Sequence, residues 1–149
     1  MPRLLLVHHT PSPSLQALLE AACAGAALVD DLELVVRPAL SAGAADLLAA
    51  DGVVLGTPAN IGYMSGALKH FFDTVYYPCL SATVGLPYGV YVHGGDDTAG
   101  ALRSIAKITD ALRWRQVAAP VSVTGAPDRA GLEACTELTA TVGISLAPP

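Results

Sequence analysis

Five short apolar runs, each followed by a stretch with helical spacing, constrain this 149-residue chain more than any other feature. The runs are RLLLV (3–7), LELVV (32–36), GVVLG (52–56), YGVYV (88–92) and VAAPVSV (117–123). The first shows no polar alternation, as expected of a strand covered on both faces. Between the runs, Leu15, Leu18, Leu19 and Ala22 fall at helical spacing, and a short helix is expected around 44–50. Leu68, Phe71, Phe72 and Val75 then recur at i, i+3, i+4 and i+7, as the apolar stripe of a helix does. Leu102, Ile105, Ile108 and Leu112 mark a further helix, and Leu132, Cys135, Leu138 and Val142 the last. Strands alternating with helices imply parallel pairing through right-handed crossovers. The sequence therefore predicts an α/β three-layer sandwich built on a five-stranded parallel sheet of order 2-1-3-4-5, with residues 1–149 forming a single domain. Pro120 puts the fifth strand at the sheet edge. In such a sheet ligands bind beyond the carboxyl ends of the strands, where the order reverses between strands 1 and 3.

Composition narrows the partners. Hydrophobic residues make up 52% of the chain and charged residues 14%, a balance that suits a large core or burial against another copy. A net charge of −5 with scattered basic residues argues against nucleic acid and anionic membrane. No apolar run approaches the ~18 residues of a membrane helix, and the opening MPRLLLVHHT reads as a first strand rather than a signal peptide. Cys23, Cys79 and Cys135 are dispersed, without a CxxC pair, so they read as small buried hydrophobes in a reducing cytoplasm.

Three loops at the expected ligand end carry the chemistry. HHTPSPSL (8–15) sets Thr10, Ser12 and Ser14 at a helix N-terminus, which favours an anion such as phosphate or, more simply, a capping serine with Pro13 in the first turn. TPANIGYMS (57–65) follows strand 3; Pro58 stiffens its exit, Gly62 permits close approach, Asn60 to Tyr63 offer amides to a heterocycle, and Ser65 suits a helix cap. HGGDDTAG (93–100) has Gly94 and Gly95 for close approach, while Asp96 and Asp97 suit a helix N-terminus and would repel phosphate. A phosphate-bearing ligand would thus place its charged end at the first loop and an uncharged ring at the third. His93 reads equally as a hydrogen-bonded structural residue and as a functional one. Sharper motifs are missing. Ala101 and Leu102 follow the GxxxxG of 95–100 where a P-loop needs Lys and Ser/Thr, no GxSxG elbow or later histidine accompanies His93, and neither GxGxxG nor a metal-ligand spacing occurs.

Taken together, GTPANIGYMSGALKHFFD (56–73), YGVYVHGGDDTAGA (88–101) and LLLVHHTPSPSLQALLEAA (4–22) resemble the flavodoxin-like family of FMN-dependent NAD(P)H oxidoreductases, including the flavodoxin-like quinone reductases. The first segment is similar to the family's strand-3 signature of TP, a Gly, then SG and an FLD-like helix, and the likeness runs over nearly the whole chain. The resemblance implies a flavodoxin-like fold with FMN as cofactor and NAD(P)H as transient co-substrate. Thr10, Ser12, Ser14 and Leu15 match the phosphate-binding positions, and Pro58, Ala59, Asn60, Ile61, Gly62 and Tyr63 surround the isoalloxazine ring. His93, Gly94 and Gly95 match the loop at the pyrimidine end, with His93 as the candidate catalytic residue, stabilising charge on the reduced ring. Tyr63, Tyr76 and Tyr77 cover the ring or serve core and subunit contacts. A small-molecule acceptor such as a quinone, and a homodimer or higher homo-oligomer, are further implications. One departure stands out: family loops read like S/T-x-T-G-N-T, whereas TPSPSL has two prolines, each lacking an N–H donor.

Two alternatives remain open at this level. An electron carrier of the flavodoxin type would be more acidic around the flavin and would sandwich it with aromatics, whereas Asp96 and Asp97 are the only acids in the three loops. A flavodoxin-like domain that no longer binds flavin draws support from the loop prolines alone.

Overall fold

The computed structural model describes residues 1–148. Its elements run β1 (Arg3–His8), α1 (Pro13–Ala27), β2 (Glu33–Pro38), α2 (Ala44–Leu48), β3 (Gly52–Asn60), β4 (Tyr63–Met64), α3 (Gly66–Cys79), β5 (Pro87–Gly94), α4 (Ala99–Ala111), β6 (Arg115–Gln116), β7 (Val121–Thr124) and α5 (Arg129–Ser145). The parallel sheet has the order β2-β1-β3-β5-β6, with β7 also on β5 and β4 antiparallel to β3. These are the five expected sheet positions in the expected order; the fold is flavodoxin-like.

The strands are apolar on both sides because both sides are covered. Leu5, Val7, Val53, Leu55, Val90 and Val92 pack with Leu68, Phe71, Phe72 and Ile105 under α3 and α4. Leu4, Leu6, Val54 and Tyr91 alternate to the other face, where Leu15, Leu18, Cys135, Leu138 and Val142 of α1 and α5 meet them. Tyr91 lies fully buried across Gly56, where a β-carbon would stand 2.1 Å from its ring. Nothing in the structure accounts for its hydroxyl, buried without a partner among the described residues. Cys79 and Cys135 are buried and Cys23 partly so; all three thiols are free.

Two expectations need correcting. The fifth strand is not continuous over 117–123: Arg115–Gln116 pair with Pro87–Tyr88, and Val121–Thr124 with Tyr91–Gly94. Pro120 lacks the N–H that a ladder needs, and the chain leaves the sheet around it. The third strand, expected to end at Gly56, continues to Asn60. Pairing with β5 persists through Pro58 and His93, whereas β1 ends at the His8–Gly56 pair. Pro58 therefore sits where the strand has become an edge on one side, and proline is tolerated there. Among the described residues no helix is long and apolar enough to cross a membrane.

Candidate functional site

The segment after Gly56 is a β-hairpin rather than a strand-to-helix loop. Asn60 faces Tyr63 and Ala59 faces Met64 across it. Ile61 and Gly62 form the tip with φ of 51° and 68°. Left-handed backbone at both central positions is the turn that matches strand twist, usually filled by Asn-Gly. Ile61 is a β-branched residue in that region, fully exposed, so the tip is strained. The amides of Ile61 and Gly62 meet no backbone partner among the described residues. Pro58 is buried, while Asn60, Ile61, Gly62 and Tyr63 face outward.

The hairpin is fixed at both ends. At its base, buried Thr57 Oγ1 donates to the Pro58 carbonyl at 2.8 Å and accepts from Ser65 N–H at 3.0 Å. Ser65 then caps α3, its Oγ accepting from Leu68 N–H at 3.2 Å, as its position suggested. On the helix side, Met64 N–H donates to Ser104 Oγ at 3.1 Å, and Ser104 Oγ donates to the Ala101 carbonyl at 2.7 Å. A β-carbon on Gly100 would stand 2.1 Å from the Gly62 carbonyl oxygen. Only glycine lets the first turn of α4 meet the hairpin tip so closely.

The first loop offers fewer donors than its position promises. Ser12 is the N-cap of α1 and its Oγ accepts from Leu15 N–H at 3.2 Å; Pro13 fills the first turn. Gln16 N–H bonds the Ser12 carbonyl at 3.0 Å. With Pro13 lacking an N–H, Ser14 N–H is what the first turn has left to give. The hydroxyls of Thr10, Ser12 and Ser14 complete the set; all three residues are partly buried. Thr10 Oγ1 shares a 2.7 Å hydrogen bond with His8 Nδ1. Burial, with His9 beside it, lowers the His8 pKa below the ordinary value near 6.5. The Leu15 side chain belongs to the core. His9 Nδ1 is buried with no partner among the described residues, next to Thr10 at the end of β1. A buried ring nitrogen left unpaired is costly, so a bound polar group there would relieve it.

In the third loop, His93 Nε2 lies 2.7 Å from the Gly125 carbonyl oxygen. A carbonyl can only accept, so Nε2 carries the proton, which leaves Nδ1 for other work. Gly125 N–H returns a bond to the Gly94 carbonyl at 3.0 Å, and its φ of 70° makes the double contact possible. Gly95 is exposed, with open space where a β-carbon would be. Asp97 Oδ1 accepts from Ala99 N–H at 2.9 Å, so this acid serves the helix terminus as expected.

The strand register brings the three segments together, since His8 pairs with Gly56 and Pro58 with His93. All lie at the carboxyl end of the sheet, with the hairpin between the serine loop and the His-Gly-Gly loop. The hydroxyls at one end, exposed tip amides in the middle and the open glycine at the other fit an elongated ligand with a phosphate and a flat ring. The supporting residues Gly100, Ser104 and Gly125 were not among the expected site residues. Gly100 stood in view as the last residue of the third loop and of a failed P-loop pattern, without a role of its own; Ser104 and Gly125 carry no sequence signal, because their partners lie 40 and 32 residues away.

The family model for NADPH-dependent FMN reductase matches residues 15–128. A flavodoxin of Aquifex aeolicus (strain VF5) is 31% identical over 75 residues, spanning 50% of this chain and 40% of that protein. Among solved structures, a flavodoxin from the domain Archaea superposes with a TM-score of 0.81 at 16% identity, covering 97% of this chain and 98% of that one. A WrbA-like flavodoxin from Agrobacterium tumefaciens gives 0.77 at 17% identity, with 98% of each chain covered. At such identities the superpositions speak for the fold, and the family match rests on the sequence. The chain belongs to the NADPH-dependent FMN reductase family.

Proposed function

We propose that this chain binds FMN at the carboxyl ends of β1, β3 and β5 and passes hydride equivalents from NAD(P)H to a quinone or similar small acceptor. The observation that carries the reading is the hairpin held against α4. It presents the free amides of Ile61 and Gly62 opposite the His93 loop, with Tyr63 its one aromatic and no Phe, Tyr or Trp within 93–100. One face of a flat cofactor would stay open to a hydride donor, whereas a carrier sandwiches its flavin.

In this reading Thr10, Ser12 and Ser14 supply hydroxyls, and Ser14 an N–H, to the phosphate. Asn60 and the hairpin tip hold the ring's polar edge, and Gly94 and Gly95 admit its pyrimidine end. When bound, FMN supplies the two-electron chemistry, and the protein orients and tunes it. His93, fixed through Nε2 on Gly125, holds or releases a proton at Nδ1 near that end. Two further parts of the reading are assembly as a homodimer or higher homo-oligomer and a reducing, cytoplasmic setting. Exposed Leu28, Leu40, Leu48 and Ile144 support the first, and three free thiols the second.

The likeness to the Aquifex flavodoxin favours a second reading, an electron carrier. Steady-state NAD(P)H oxidation by the FMN-loaded protein with a soluble quinone, and no partner protein, separates them. Turnover supports the reductase; retained FMN without turnover supports the carrier.

A further inference from the structure

Where the fifth strand leaves the sheet, it opens a pocket. Arg115–Gln116 pair with Pro87–Tyr88 and Val121–Thr124 with Tyr91–Gly94, so Gly89 and Val90 have no strand partner on that edge. Against the gap, Val90, Leu102, Ile105, Ala106 and Pro120 wall a pocket of about 250 Å³ under α4. An apolar cavity of about 150 Å³ accepts a benzene ring, so this one has room for a ring and a substituent.

The pocket's polar groups define what that substituent is. Arg103 lines it and has no ion-pair partner among the described residues. Its neighbours one turn away on α4 are Ala99, Gly100, Ala106 and Lys107, none of them acidic, and no carboxylate lines the pocket. The Tyr88 hydroxyl accepts from Thr109 Oγ1 at 3.0 Å, and for its own proton has Gln116 Oε1 at 3.5 Å, the limit of a hydrogen bond. Both spare polar groups are therefore donors, which calls for an acceptor, and the uncompensated guanidinium calls for an anionic one.

We propose that this pocket binds a small carboxylic acid with a compact apolar body, the body lodged under α4 and the carboxylate held by Arg103. The pocket shares no residue with the segments 8–15, 57–65 and 93–100, so the site is separate from the flavin site and does not rest on the functional reading above.

Benzoate tests the assignment, with benzamide as the uncharged molecule of the same shape. The full chain is titrated with each while amide shifts are followed by NMR. Benzoate should bind saturably in the millimolar range, with the largest shifts at Val90, Ile105, Ala106 and Gln116, and benzamide about fivefold more weakly, the scale of one exposed ion pair. Arg103→Gln, at the surface, should bring benzoate down to the level of benzamide and leave benzamide unchanged. Ala106→Leu should fill the pocket and remove binding of both, with circular dichroism verifying that each variant folds; Arg103→Gln decides alone if Ala106→Leu does not fold. Three results would each overturn the proposal: no benzoate binding at millimolar concentration, shifts centred elsewhere, or benzoate affinity equal to that of benzamide and unmoved by Arg103→Gln.

Discussion

The Gly62 carbonyl oxygen lies 2.1 Å from where a β-carbon on Gly100 would stand. Gly100→Ala must therefore drive the hairpin off α4 or shift the helix, since the obstructing atom is backbone. Overpacking of this kind costs about 1–3 kcal/mol, and we expect that loss in urea unfolding together with weaker FMN binding. Gly66→Ala is the control: at the start of α3, nothing lies within 4 Å of where its β-carbon would stand. It should leave FMN binding unchanged and, by removing a helical glycine, raise stability by about 0.5 kcal/mol. Equal behaviour of the two variants would contradict the clamp.

Ile61 takes a left-handed φ of 51° with its side chain fully in solvent. Its replacement loses no packing and relieves strain. Ile61→Asn or Ile61→Gly should therefore stabilise the protein by about 1 kcal/mol, read from the midpoint of denaturant unfolding. A lower midpoint for both variants would show that the isoleucine side chain makes stabilising contacts after all.

Removing the imidazole of His93 breaks its bond to Gly125 and, on our reading, takes away the proton-handling group near the ring. His93→Phe should cost about 1 kcal/mol of stability. It should also slow flavin reduction by roughly tenfold or more while FMN affinity changes little. An unaltered rate would leave His93 a structural residue.

His8 titrates below its ordinary value because burial disfavours its charged form. Below pH ~6.5 the unfolded chain takes up that proton first, so stability falls with falling pH until the folded-state pKa is passed. Above that window His8 contributes no slope. Unfolding of the wild type and His8→Asn, compared at successive pH values, should show a shallower decline from neutral to mildly acidic pH in the variant. Parallel curves would mean that other groups set this dependence.

Much of this fold is legible in the chain because its signals are local. RLLLV and GVVLG announce strands covered on both faces, and Ser12 and Ser65 announce helix caps that the structure bears out. The hairpin was hidden because its turn uses Ile61-Gly62, where Asn-Gly would have been recognised. Extension of β3 through Pro58 depends on pairing with β5, about 35 residues away in sequence, which no local pattern records, and its last two residues pair with β4 across the hidden hairpin. The serines of the first loop were readable by type, but the spending of Leu15 and Gln16 N–H groups within the helix cap was not. His93 was readable as a histidine at a strand end; its anchor on Gly125 belongs to tertiary structure.

Whether the chain is a reductase is decided by anaerobic mixing of the FMN-loaded protein with NADPH, with no other protein present, while the yellow flavin absorption is followed. A reductase bleaches that band, and the colour returns when a quinone is added. Flavin that stays bound and oxidised in excess NADPH and NADH would contradict the reductase reading and leave a carrier in its place.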